Sequence, residues 1–144
     1  MPSLPAGRTW AAVAAGYSHT CGLDSKGGLR CWGSNGFGKT TVPSLPAGLT
    51  WAAVAAGYYH TCGLDSNDGL RCWGSNGDGQ TTMPSLPTGH TWAAVAAGDI
   101  HTCGLDSKGG LRCWGSNDGD ESGKTKVPPL PAGRTWAIPV RLGR

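Results

Sequence analysis

The chain has 144 residues, among them 25 glycines, 10 prolines, seven tryptophans and six cysteines. Glycine and proline reach the low-complexity range, but so much tryptophan excludes a disordered chain, and the frequent glycines exclude long helices, coiled coils and transmembrane helices. Twelve Lys+Arg against nine Asp+Glu leave a formal charge of +3, too small a bias to bind nucleic acid or an anionic membrane by field alone.

What remains is an all-β protein, and its main feature is an internal repeat. Residues 2–42 read PSLPAGRTWAAVAAGYSHTCGLDSKGGLRCWGSNGFGKTTV, and residues 43–83 repeat them with 34 of 41 positions identical. A third copy starts at Pro84 and keeps step through Asn117, then gains three residues within 118–124. A fourth start, 128–136, breaks off where Pro139 replaces the apolar continuation. Every Trp and every Cys falls in register. A period of 41 with Gly-Trp signatures is that of β-propeller blades, the units running 10–50, 51–91 and 92–136 with 137–144 a divergent tail. Met1 shares its register with Val42, Met83 and Val127, so the repeat itself places an apolar residue there. It is read as an internal residue of a longer protein, which makes the lack of a visible signal peptide uninformative.

In chain order, each unit opens with a short apolar strand, Trp10 to a turn at Gly16. His19–Leu23 alternates with a period of two, Asp24–Gly28 is turn chemistry, and Leu29–Gly33 alternates again. Counting outward from Lys26 sets Cys21 opposite Cys31, Leu23 opposite Leu29 and Thr20 opposite Trp32. Each unit therefore holds a hairpin with Cys and Leu on one face and Trp over small residues on the other. Ser34–Gly38 is a loop, and Thr40–Leu45 is expected as an outer strand that Pro43 confines to an edge. Sheets of three or four strands with two apolar faces must be sandwiched between neighbours. A parallel β-helix competes as a repeat architecture, but its coils are usually shorter and lack antiparallel hairpins.

The string V-A-A-G-x-x-H-T-C-G-L-x-x-x-G-x-L-R-C-W-G-x-N-x-x-G-x-T-T resembles the blade repeat of the regulator-of-chromosome-condensation superfamily, three times over. The segment Gly-Gln-Thr-Thr-Met-Pro at 79–84 is similar to secreted members that inhibit β-lactamases, and the paired Cys resemble those of plant crinkly-type receptor ectodomains. The resemblance implies a seven-bladed propeller used for protein–protein binding. This chain has only three units, no basic tail, and none of the Gly-Trp-Arg-His-Thr clusters of the plant UV-B receptor, so light sensing is not expected.

The three Cys pairs, Cys21/Cys31, Cys62/Cys72 and Cys103/Cys113, stand at opposed positions and read as intrablade disulfides in an oxidising compartment or a secreted protein. Reduced thiols packing as small hydrophobes are the alternative. The spacing lacks the knuckle that turns two sulfurs onto one zinc. His19, His60 and His101 recur with the repeat and are read as structural, each donating to a neighbouring blade's backbone, because a catalytic site is rarely built three times over. Trp32, Trp73 and Trp114 are likewise structural. No catalytic, metal-binding or cofactor-binding residue stands out. Asp24, Asp65 and Asp106 open the turns.

Binding is expected where the units differ, on Tyr17, Phe37, Tyr58, Tyr59, Asp78, Asp99 and Ile100, nearly all in loops. Three blades do not close a ring, since propellers need about four to eight. The expectation is a non-enzymatic interaction scaffold with a protein partner, completed as part of a longer chain, as a homo-oligomer or on a larger assembly. A lectin-like propeller that binds glycan through the aromatic loops is the alternative.

Overall fold

The computed structural model describes residues 1–116, 127–134 and 136. The insert at 118–122 and the tail at 137–144 lie outside the described residues.

Each unit is one antiparallel three-stranded sheet. The first holds β1 (Trp10–Ala15), β2 (His19–Asp24) and β3 (Leu29–Gly33). The second holds β4 (Trp51–Ala56), β5 (His60–Asp65) and β6 (Leu70–Gly74), and the third β7 (Trp92–Ala97), β8 (His101–Asp106) and β9 (Leu111–Gly115). The turn arithmetic holds in all three, with Cys facing Cys, Leu facing Leu and Thr facing Trp across each hairpin. A bulge after the first Trp of every unit shifts the register, so two residues of the first strand oppose one of the second. The two Trp of a unit then meet on one face, their ring centroids 5.6–5.7 Å apart. Only glycine fits beneath them, because a Cβ on Gly63 would lie 2.5 Å from the Trp51 ring.

The outer strand expected over Thr40–Leu45 does not form. Asn35 Oδ1 accepts the Thr40 amide at 2.9 Å and the Thr40 hydroxyl at 2.6 Å, and Asn35 Nδ2 donates to Thr41 at 3.2 Å. Asn76 holds Thr81 and Thr82 in the same way. These side-chain bonds fold the chain back where a ladder would run, and Pro43 and Pro46 have no N–H to give one.

The sheets stack through unlike faces. Cys21, Cys31 and Leu29 of the first unit pack on Val54 and Ala56 of the second. Cys62, Cys72, Leu64 and Leu70 of the second pack on Trp92, Val95, Ala97 and Trp114 of the third. Val54 and Val95 are 4% and 0% exposed, whereas their counterpart Val13 is 70% exposed. The first two Cys pairs thus line the floor of an interface between units.

One hairpin turn departs from the others. Gly27 and Gly109 take left-handed backbone, φ 80° and 83°, and their carbonyls accept the amides of Trp51 and Trp136 at the following unit. Asp68 holds the same position at φ 64°, and no such bond reaches Trp92. A Cβ on Gly27 would lie 2.5 Å from Thr50, so a side chain here obstructs the next unit's approach. Asp68→Gly is expected to stabilise by about 0.5–1 kcal/mol, after the unfolded-state entropy of glycine is set against the relieved strain. The thermal midpoint should rise by a few degrees; an unchanged or lowered midpoint would refute the strain argument.

Candidate functional site

The strands leave each sheet with two ends. One carries the hairpin turns. The other carries the loops after β1, β4 and β7 and the segments after β3, β6 and β9. The aromatic residues that differ between units, with Asp78, Asp99 and Ile100, gather at this second, loop end.

Tyr17 and Tyr58 stand at the same repeat position in consecutive blades and stack face to face, centroids 3.8 Å apart and planes 9° apart. Tyr58 also meets Tyr59 at 4.3 Å, and Tyr59 meets Phe37 edge-on at 5.6 Å. Four rings therefore form one chain across two blades. Tyr17 is 70% exposed and Phe37 67%, so the patch faces solvent. A hydrogen bond with Tyr17, helped by burial, pushes the Tyr58 hydroxyl above its usual pKa. Phe37 has φ 64°, a left-handed conformation that an aromatic residue rarely adopts. Strain of this kind persists only where the surroundings enforce it, and it is common at recognition sites. Beneath the rim lies Lys39, 3% exposed, its ammonium 3.5 Å from Ser34 Oγ and 5.9 Å from the Tyr59 ring centre.

The next blade replaces rings with carboxylates. Asp99 takes the place of Tyr17 and Tyr58, and its carbonyl accepts the Tyr58 amide at 3.1 Å. Asp78 takes the place of Phe37, and Ile100 that of Tyr59. Asp78 and Asp99 are exposed, and Ile100 is half-buried.

The repeated polar residues lie between blades. His19 Nε2 is 2.8 Å from Thr61 Oγ1 of the following unit, and that hydroxyl donates to the Lys39 carbonyl at 2.8 Å. Trp73 Nε1 donates to the same carbonyl at 3.0 Å. His60, Thr102, Gln80 and Trp114 repeat the arrangement one blade on, at the same distances. The hydroxyl proton is committed to the carbonyl, so the histidine bears its hydrogen on Nε2 and donates. The acceptor is thus a hydroxyl rather than the backbone group expected from the sequence, and the hydroxyl passes the bond on to the backbone. Burial pushes His19 down to about 4, with Lys39 adding to the effect, and burial with the charges of His101 and His19 pushes His60 to about 4. His101 and Trp32 hold the equivalent positions in the third and first units.

The turn end is held by carboxylates. Asp24 accepts the amides of Lys26 and Gly28 at 2.8 and 2.9 Å and pairs with Arg8 at 2.9 Å. Asp65 and Asp106 do the same for their turns, but pair with Arg71 and Arg112 of their own blades; Asp106 also meets His90. Burial raises each carboxyl, and the bonds to these amides and cations more than offset it, leaving all three below the usual range.

Cys21–Cys31, Cys62–Cys72 and Cys103–Cys113 are disulfides, with sulfurs 2.06, 2.11 and 2.05 Å apart. Three antiparallel sheets stacked face to back, each closed by a cross-strand disulfide, define a run of β-propeller blades. The repeat pattern described as the regulator of chromosome condensation (RCC1) repeat matches residues 10–39, 51–80 and 92–119, and the chain belongs to that family. Among solved structures it is similar to Prp20p of Saccharomyces cerevisiae, which was studied for its binding to Gsp1p and histones: 21% identity, TM-score 0.66, over 82% of this chain and 35% of that one. It is also similar to the ectodomains of two plant receptor kinases. For CR4 of Physcomitrella patens the identity is 29% and the TM-score 0.59, over 77% of this chain and 31% of that one. For ACR4 of Arabidopsis thaliana they are 27% and 0.56, over 78% and 40%. The chain spans less than half the length of these structures. No curated protein matches it.

Proposed function

We propose that the array is a non-enzymatic scaffold for protein–protein interaction, built from units at 10–50, 51–91 and 92–136 with a divergent tail at 137–144. It works as part of a larger chain or assembly in an oxidising, secreted setting. The observation that carries this reading is the four-ring patch of Tyr17, Tyr58, Tyr59 and Phe37, unit-specific residues on a frame otherwise repeated almost unchanged. Exposed rings on a rigid support are good interface anchors, because little side-chain entropy is lost when they are covered. The repeated histidines and aspartates are already engaged between blades and in turns, which favours binding over catalysis. Three disulfides and similarity to extracellular domains support the compartment. Val13, exposed where Val54 and Val95 are covered, supports completion by a further blade, from this chain or from a second copy.

Substitutions taken from the chain's own units test the surface without disturbing the frame. Phe37→Asp, Tyr58→Asp and Tyr59→Ile each install the residue of a following blade. Partners captured by cross-linking from the extracellular fraction of the source should be lost from the triple variant while its melting curve is unchanged. Undiminished capture would remove the patch as the interaction site. Glycan binding is the second reading, favoured by the exposed face of Tyr17, on which a sugar ring can stack. Binding of the unaltered protein to arrayed glycans, lost in the same variant, would favour it.

A further inference from the structure

The cations are unevenly placed between the two ends. Arg8, Lys26, Arg30, Arg71, Lys108 and Arg112 all lie at the hairpin-turn end, where Arg8, Arg71 and Arg112 pair with Asp24, Asp65 and Asp106. Among the described residues the loop end presents no exposed Lys or Arg, since Lys39 is buried. It presents instead the exposed carboxylates of Asp78 and Asp99, neither of which forms an ion pair among the described residues.

Asp99 continues the row of tyrosines. Positions 17, 58 and 99 are equivalent and sit side by side, joined by Tyr17 N to Gly57 O at 3.3 Å and Tyr58 N to Asp99 O at 3.1 Å. They form a ladder of two stacked tyrosines ending in an aspartate. Ring faces attract cations, and a planar guanidinium both stacks on tyrosine and offers paired donors to a carboxylate. A purely apolar partner would bury Asp78 and Asp99 unpaired, which is costly, and an anionic partner would be repelled by both.

We propose that the Tyr17–Tyr58–Asp99 ladder binds an arginine side chain carried on an extended segment of the protein partner. This rests on the scaffold reading above and names the partner's chemistry. The guanidinium pairs with Asp99 at the end of the ladder and rests against the adjoining Tyr58, and the exposed Asp78, in the segment after β6, is open to a second cation on the same partner segment.

The test is an NMR titration of the oxidised protein with a peptide of alternating glycine and arginine, alongside its citrulline counterpart, which keeps the planar shape but has no charge and an accepting oxygen in place of one donating NH2. The arginine peptide should bind about tenfold or more tightly than the citrulline peptide, and shift the amides around residues 17, 58 and 99. Tyr58→Ser and Asp99→Asn should each weaken it about five- to tenfold. Asp68→Asn, which removes an exposed carboxylate at the opposite end, should leave it unchanged. Equal binding of the two peptides, no binding, shifts centred on the turn end, or equal loss from Asp68→Asn would each overturn the proposal. If the arginine peptide fails while partner capture still depends on the aromatic patch, the scaffold reading stands without the arginine site. Failure of both experiments removes the surface itself.

Discussion

Reduction of the three disulfides under native conditions is expected to unfold the array or bring it close to unfolding at room temperature. Each disulfide joins residues ten apart in sequence, and closing a loop of that size restrains the unfolded chain by about 2–3 kcal/mol. Three together come to roughly 8 kcal/mol, as large as the whole stability of a typical domain, about 5–15 kcal/mol. Packing adds to the loss. Cys21 and Cys62 are wholly buried against the next blade, and two thiols need more room than one disulfide. Circular dichroism melts with and without reductant measure the effect, and intact mass should rise by six hydrogens on full reduction. Under limiting reductant Cys103–Cys113 should open first, because both its residues are half-buried whereas Cys21 and Cys62 are shielded. A fully reduced protein that melts where the oxidised one does would show that the sheets hold without their cross-links.

Contacts inside a blade were readable from the sequence, and those between blades much less so. A hairpin turn is a local symmetry centre, so the opposition of Cys21 and Cys31 follows from counting outward from Lys26. Pairing of a histidine with the next blade's threonine does not follow in that way. The separation from His19 to Thr61 is 42 residues, one more than the repeat, and that offset depends on how one sheet is rotated over the next. Thr61 and Thr102 recur in register like many other residues, and nothing in their spacing marks them as bridges. Thr40–Leu45 reads as a strand because β-branched and apolar residues dominate it. The competing signal, Asn35 poised to bond the following threonines, acts through side-chain geometry.

The loop end illustrates the same division. That unit-specific residues lie in loops could be read from the chain. That Tyr17 stacks on Tyr58 could not, because equivalent positions in adjacent blades become neighbours only when the sheets stack. Nor could the exchange of partners at the turn end. Arg8 in the first unit is replaced by Leu49 and His90 in the others; Asp65 turns to Arg71 of its own third strand instead, and Asp106 takes Arg112 of its own third strand in addition to His90. A near-perfect repeat thus hides small differences that only the stacked arrangement converts into distinct surfaces.

Acid is expected to loosen the array well before ordinary carboxylate titration is complete. His19 and His60 are held near 4 in the folded protein, against about 6.5 in an unfolded chain. The unfolded state therefore takes up more protons between these values. Stability from the neutral rings is fully present above pH 6.5 and is lost as pH falls through 4. A shift of this size corresponds to roughly 3 kcal/mol for each histidine at most, with both lost over the same interval. The structural reason is visible at the ring. Nε2 already donates to a threonine hydroxyl, and Nδ1 is buried with no partner, so a proton added there creates a buried, unpaired charge. Asp24, Asp65 and Asp106, all depressed, extend the loss below pH 4 with the same sign. Urea midpoints measured from pH 7.5 to 4 should fall most steeply between pH 6 and 4. His60→Gln keeps an N–H donor within reach of Thr102 and cannot titrate, so its midpoint should fall about half as steeply over that interval. Thr102→Val should instead lower the unfolding free energy by about 1–3 kcal/mol at every pH, because it strands the His60 N–H whether or not the ring is charged. If the His60→Gln profile parallels that of the unaltered protein, the acid sensitivity belongs to the aspartate turns and not to the seams between blades.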